Sequence, residues 1–135
     1  MSAEEAALAA ETCVPCRGGI PPLDAQTVAR LSEVVGPAWR VADGRRLERE
    51  YRFTNFRKAM AFANQVAVIA EEQKHHPDLA VGWGYVRITL TTHAIDGLHR
   101  NDFILAARID ALGRGPGSAA PGGPGPAAPP TTAAG

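Results

Sequence analysis

The segment "NFRKAMAFANQVAVIAEEQKHHP", residues 55–77, decides the fold because it contains the longest helical pattern of the chain. Asn55 is a residue type that caps helix N-termini, and apolar residues follow it at intervals of three and four. Pro77 cannot continue a helix. The segment therefore predicts a long central core helix with a broad apolar face. That face comprises Ala59, Met60, Phe62, Ala63, Val66, Ala67, Ile69 and Ala70.

Strand patterns lie on both sides of this helix. In residues 39–53, two strand-like runs flank Asp43-Gly44, a sequence typical of hairpin turns. The second run alternates apolar and polar residues. Residues 79–83 and 85–92 are rich in Val, Ile, Thr and aromatic residues. Each pair of runs predicts a β-hairpin.

Two further helices complete the pattern. Asp24 can cap a helix that ends at Gly36-Pro37, and residues 100–113 place apolar residues on one helical face before a terminal glycine. The predicted order is α-β-β-α-β-β-α. Because hairpins pair neighbouring strands antiparallel, we expect a two-layer α+β fold in which helices pack on one face of a four-stranded antiparallel sheet.

Composition divides the 135-residue chain into three parts. Residues 113–135 are almost entirely Gly, Ala, Pro, Ser and Thr, which bury too little apolar surface to offset the entropy of ordering, so a disordered tail is expected. Residues 1–21 are expected to form a flexible segment, and residues 22–112 a single domain. A two-layer domain of this size leaves surface uncovered, which favours self-association into an oligomer.

Charge and hydropathy exclude several classes of function. Fourteen basic and fourteen acidic residues balance, so no global field attracts nucleic acid. No apolar run reaches the roughly 20 residues that span a bilayer, and the acidic N-terminus is unlike a signal peptide. We expect a cytoplasmic protein that binds neither nucleic acid nor membrane.

The two cysteines, Cys13 and Cys16, form a single CxxC motif. A zinc site would need two further ligands at matching spacing, and a thioredoxin-type motif would open a helix after a strand. Neither context is visible, so two reduced thiols are the expectation, with metal or redox chemistry as the alternative.

All four histidines lie in residues 71–103. His75, His76 and His93 fall at the ends of predicted elements, where side chains can share a cleft. Imidazole titrates near neutral pH, so such a cluster suits general acid–base chemistry without a cofactor. A zinc site of three histidines is the alternative, although the side chains of an adjacent pair diverge.

These residues resemble the signature of the pterin-4a-carbinolamine dehydratases. The shared positions are Glu71, His75-His76-Pro77, Trp83, His93 and Asp102, and the segments "CVPCRGGIPPL", "GPAWRV" and "THAIDGLHRNDFILAARID" are similar to those of bacterial members. The likeness covers about residues 12–112. It implies the same α+β fold, and commonly a dimer or tetramer.

The resemblance also implies a reaction, the loss of water from 4a-hydroxytetrahydropterin to give quinonoid dihydropterin. This step recycles the cofactor of aromatic amino acid hydroxylases. His75 and His93 would carry acid and base work, and His76 would bind the pterin. Glu71, Pro77, Trp83 and Asp102 would line or support the substrate site, and no cofactor or metal is implied.

Individual positions carry their own expectations. The spacing of Glu71 and His75, one helical turn, suggests that this carboxylate orients that imidazole. Asp102 is equally well explained as an acidic residue near a helix N-terminus, without a role in the site. Trp83 is a candidate for the wall of the pocket, but an aromatic residue on a strand is more often part of the core. His99 lies outside the signature and is expected to be an incidental loop residue.

The sequence departs from the family pattern at Ala94, where many members have an acidic residue, at Lys74, where some have Asp, and at Leu79, often an aromatic. These changes bear on substrate orientation. The alternative functions are those of non-catalytic relatives, which serve as dimerisation partners of a transcription factor or as assembly factors, and a molybdopterin- or other pterin-handling role.

Overall fold

The structure is a computed structural model that describes residues 2–15 and 18–112. The helices are α1 (Ala3–Ala9), α2 (Ala25–Val35), α3 (Phe56–Gln73) and α4 (Arg100–Leu112), and the strands are β1 (Arg40–Ala42), β2 (Arg46–Arg52), β3 (Asp78–Gly82) and β4 (Tyr85–Leu90). From α2 onward the predicted order is confirmed. Cys16 and the predicted tail, residues 113–135, lie outside the described residues. No helix within the described ranges is long and apolar enough to cross a bilayer.

The four strands form one antiparallel sheet in the order β1-β2-β4-β3. Asp43 and Gly44 adopt positive φ angles of 54° and 67° at the first hairpin turn, as their sequence predicts. One sheet face is buried under the helices and the other is charged, so the two-layer α+β fold is confirmed. The buried face comprises Leu47, Tyr51, Val86, Ile88 and Leu90, and the open face includes Glu48, Glu50 and Arg87.

Helix α3 begins and ends at identifiable signals. The Asn55 side chain accepts a hydrogen bond from the Lys58 amide at 2.9 Å. At the other end Lys74 adopts the left-handed conformation, with φ 54° and ψ 38°, and the amide of His75 donates to the Ala70 carbonyl at 3.2 Å. This is the hydrogen bond of a Schellman motif, which turns the chain sharply at the helix end.

Helix α4, rather than α3, is the most completely buried helix. Residues 101–107 are all buried, and α4 contacts α1, α2 and α3. The sequence did not predict α1, which the Ser2 side chain caps and which places Leu8 in the core. Because α1 covers the outer surface of α4, a helix that was expected to have one apolar face is enclosed on several sides.

The chain after α1 is attached to the ends of α3 and α4. The Cys13 amide donates to Gln73 Oε1 at 2.9 Å, and Glu11 forms an ion pair with Arg100 at 2.5 Å. Hydrogen bonding to Arg100 lowers the pKa of the Glu11 carboxyl. These contacts involve part of residues 1–21, the segment that the sequence predicts to be flexible.

A buried carboxylate joins α4 to the sheet. Asp110 accepts hydrogen bonds from Trp39 Nε1 at 3.0 Å, from Arg49 Nη1 at 2.7 Å and from the Tyr51 hydroxyl. Arg49 lies on the helix-facing side of β2, so its charge needs this partner. The Asp110 interactions therefore fix α4 across β2.

We expect Asp110→Ala to destabilise the fold by about 3–5 kcal/mol, because it leaves the buried Arg49 charge without its carboxylate. Chemical denaturation measures the loss. The control, Asp96→Asn, weakens the exposed ion pair with Arg45 and should change stability by less than about 0.5 kcal/mol. Equal losses for the two variants would contradict this account of Asp110.

We expect Lys74→Gly to stabilise the fold by about 1 kcal/mol, because glycine adopts the left-handed conformation without steric cost. The matched control is Lys58→Gly in the first turn of α3, where glycine should destabilise by about 0.5–1 kcal/mol. Denaturation midpoints compare the two variants. A loss of stability in Lys74→Gly would show that the Schellman turn does not strain this residue.

Candidate active site

His75 points into the protein at the end of α3. Its side chain is 10% exposed, and its Nε2 lies 2.6 Å from Oδ1 of Asp102 at the start of α4. The left-handed turn at Lys74 takes His75 off the helical path and directs it toward α4. The site therefore depends on the backbone conformation of the residue before it.

Asp102 is the centre of the site and is completely buried. Its Oδ1 contacts His75, while its Oδ2 accepts from the Thr92 hydroxyl at 2.8 Å and from the His99 amide at 3.0 Å. A buried carboxylate with several donors is satisfied as an anion. One side chain thus joins the end of α3, the segment after β4 and the start of α4.

This arrangement defines which nitrogen of His75 is available for chemistry. An ionised carboxylate only accepts hydrogen bonds, so Nε2 carries a hydrogen toward Asp102. The remaining nitrogen, Nδ1, can accept or donate a proton. A carboxylate that holds an imidazole in one tautomer is a standard arrangement for general acid–base catalysis.

His76 forms a second carboxylate–imidazole pair, in an exposed setting. Its Nε2 lies 2.5 Å from Glu71 Oε2, with side-chain exposures of 62% and 77%. The prediction that Glu71 orients His75 was wrong, because the turn at Lys74 carries His75 away and leaves His76 within reach of Glu71. The adjacent histidines therefore have different carboxylate partners.

His93 follows Thr92 directly and begins a 3-10 turn over His93–Ile95. Thr92 is buried, bonds Asp102 through its hydroxyl, and pairs with Gly97 through backbone hydrogen bonds of 2.9 and 3.4 Å. His93 itself is exposed. The residue that precedes His93 is therefore anchored to the same carboxylate that holds His75.

Trp83 lies far from the histidines of its own chain. It occupies the turn between β3 and β4 and is 45% exposed, so the core role considered for it was wrong. Pro77 lies beside the histidines at the near end of β3, and the five residues of that strand span about 16 Å. The structure brings Pro77, but not Trp83, to the histidine end of this hairpin.

The part that Thr92 and His99 take in the site was not predicted from the sequence. Thr92 could have been found as a hydroxyl residue at a strand end beside a candidate catalytic histidine. His99 is three residues before Asp102, the spacing of a helix capping box, although histidine is not among the preferred capping residues. Among residues 2–15 and 18–112 the structure forms no group of three His, Cys, Asp or Glu suited to a metal ion.

Comparisons with known proteins agree on one family. The model of the family "Pterin 4 alpha carbinolamine dehydratase" matches residues 21–112. Relatives from Rubrobacter xylanophilus and Methylococcus capsulatus, both named "Putative pterin-4-alpha-carbinolamine dehydratase", are 50% and 48% identical to this chain. The matches cover 78% of this chain in both cases, and 97% and 92% of the relatives.

A solved structure shows the same fold. The transcriptional coactivator/pterin dehydratase from Brucella melitensis aligns with a TM-score of 0.62 and 28% identity, over 67% of this chain and 96% of that one. The α+β fold of this chain is thus shared with that protein. The chain belongs to the pterin-4a-carbinolamine dehydratase family.

We expect Asp102→Asn to change the tautomer of His75, because an amide can present a donor where the carboxylate only accepts. NMR chemical shifts of the ring nitrogens should show hydrogen on Nε2 in the wild type and on Nδ1 in a substantial fraction of the variant. The matched control is Glu71→Gln, which should affect His76 and leave the His75 signals unchanged. An unaltered His75 tautomer in Asp102→Asn would contradict the geometry described.

Proposed function

We propose that this protein is a 4a-hydroxytetrahydropterin dehydratase. The observation that carries the proposal is the buried Asp102–His75 pair, joined through Thr92 to the backbone beside His93, in a chain of this family. This arrangement supports proton transfer by imidazole without requiring a cofactor. The substrate identity and the catalytic roles come from the family resemblance.

The reaction needs one proton donor and one proton acceptor. The C4a–O bond breaks as the leaving hydroxyl takes a proton and departs as water. The N5–H proton is removed, and its electron pair forms the C4a–N5 double bond of the quinonoid dihydropterin. His75 and His93 share these acid and base roles in the proposal.

The neighbouring residues have supporting roles in this proposal. Because Asp102 is fully buried, it acts through His75 rather than on the pterin. His76, held by Glu71 at the exposed side, binds and orients the substrate, and Pro77 fixes the direction of the chain after it. In the cytoplasm, a separate reductase would have to add two electrons to the quinonoid product before it could serve again as the tetrahydropterin cofactor of aromatic amino acid hydroxylases.

We also propose that the protein is a homodimer or homotetramer. β3 is an edge strand, and Leu79 on it and Trp83 beyond it are 38% and 45% exposed. Unpaired strand edges and exposed large apolar side chains favour self-association. Trp83 would then contribute to an interface or to the site of another copy, since it does not reach the histidines of its own chain.

A non-catalytic role is the second candidate, because the Brucella melitensis relative is called a transcriptional coactivator as well as a pterin dehydratase. Such a role would use a surface for dimerisation or assembly and would not require the histidines. Retention of His75, His76 and His93, together with the carboxylate partners of His75 and His76, favours catalysis.

The test generates the 4a-carbinolamine in situ with a hydroxylase and follows its dehydration by absorbance. The protein should accelerate the reaction over the spontaneous rate. His75→Ala and His93→Ala should each lower the catalysed rate by about 10²–10⁴-fold, the usual effect of removing a general acid or base. Arg30→Ala, an exposed change on α2, is the control and should retain full activity.

Two outcomes would overturn the proposal. The absence of any acceleration by the wild-type protein would exclude this dehydratase activity. An undiminished rate in a folded variant lacking His75, His76 and His93 would show that these residues do not catalyse the reaction, and would favour the coactivator or assembly role.

A further inference from the structure

His99, expected from the sequence to be an incidental loop residue, is the N-cap of α4. Its Nδ1 accepts a hydrogen bond from the Asn101 amide at 3.0 Å. The first amides of a helix have no partner within the helix, and a capping side chain supplies one. In this cap the acceptor is an imidazole nitrogen rather than the usual oxygen.

The cap is reciprocal, and its second half is the carboxylate of the active site. The His99 amide donates to Asp102 Oδ2 at 3.0 Å, and the Asp102 amide donates to the His99 carbonyl at 3.0 Å. These contacts follow the geometry of a capping box, in which the third helical residue bonds back to the N-cap. Asp102 therefore caps the helix and holds His75 at the same time.

The two oxygens of Asp102 divide these tasks. Oδ2 is held by the His99 amide and the Thr92 hydroxyl, which leaves Oδ1 directed at His75 Nε2. If the cap loosened, the His99 amide would shift and Oδ2 would lose one of its two donors. The carboxylate could then rotate, and the direction of the His75 ring would change with it.

The N-terminal segment supports the cap from the other side. Asn101, the residue whose amide His99 accepts, is 2% exposed, and its side chain pairs with the backbone of Val14 through hydrogen bonds of 2.7 and 3.1 Å. Asn101 is thus fixed in position for the His99 bond. The first turn of α4 is held by an imidazole on one side and a docked segment on the other.

We propose that His99 is a positioning residue for the proposed dehydration: its imidazole caps α4 and so keeps the Asp102 carboxylate directed at His75. In this proposal it acts through Asp102 and His75 rather than on the substrate. The inference rests on the proposed function for its effect on rate, while its structural half is testable without any substrate.

The experiment compares His99→Ala, which has no cap acceptor, with His99→Ser and His99→Asn, which supply a capping oxygen. The first readout is the NMR signature of the His75 ring nitrogens in the substrate-free protein. The second is kcat and KM for dehydration. We expect His99→Ala to broaden or shift the His75 signals and to lower kcat by about tenfold, by analogy with the loss of residues that orient metal-bound histidines. KM should change by less than about twofold.

The serine and asparagine variants should return both readouts close to wild-type values. The matched control is Asp24→Ala, which removes the N-cap of α2, where Asp24 Oδ1 accepts from the Thr27 amide at 2.8 Å. That variant should lose stability without affecting the His75 signals or kcat. It separates the specific effect of His99 from the general effect of losing a helix cap.

Several results would overturn the inference. Wild-type His75 signals in His99→Ala would show that the cap does not position the ring. Equal impairment of the alanine, serine and asparagine variants would show that the imidazole acts in some other way. If His99→Ala does not fold, His99→Ser decides the question. His75 signals in folded His99→Ser that differ from those of the wild type would then overturn the proposal. If the wild type has no dehydratase activity, the proposed function fails while the NMR comparison still decides the role of the cap.

Discussion

The arrangement of the site depends on the burial of one carboxylate. A charge removed from water must be compensated by hydrogen-bond donors in the protein. The Asp102 carboxylate is compensated by a ring from the end of α3, a hydroxyl from the end of β4 and an amide at the start of α4. These segments must meet correctly for the anion to be satisfied. Folding and assembly of the site are therefore one event.

Helix α4 carries two buried carboxylates that are bound by other elements. Asp102 lies in its first turn and Asp110 near its last, and both are buried and bound by groups from other elements. Neither carboxylate is a source of stability comparable with the apolar core, because pairing mainly offsets the cost of removing charge from water. Their contribution is to specify one orientation of α4. The helix is fixed against β2 at one end, and the histidine site is built at the other.

Sequence patterns were sufficient for the scaffold from α2 onward, but not for α1. The spacing of apolar residues after Asn55, the alternation in β2 and the Asp43-Gly44 turn each predict an element that the structure contains. The pairing of carboxylates with histidines was harder to predict. Helical spacing places Glu71 beside His75 only if α3 continues through residue 75. Lys74 interrupts it in a left-handed conformation that its residue type does not indicate. The role of His99 was also hidden, since histidine is an uncommon cap and its acceptor nitrogen becomes evident only in three dimensions.

The two adjacent histidines differ in their exposure to solvent ions. The Glu71–His76 pair lies largely in water, where salt at physiological concentration screens charges over about 8 Å, whereas Asp102 is shielded by the surrounding protein. Dissolved ions therefore screen the exposed Glu71 carboxylate and leave the buried Asp102 carboxylate nearly unaffected. Through a single left-handed residue, neighbouring positions in the chain acquire different sensitivities to ionic strength: the setting of the exposed imidazole varies with the medium, while the buried imidazole keeps its orientation.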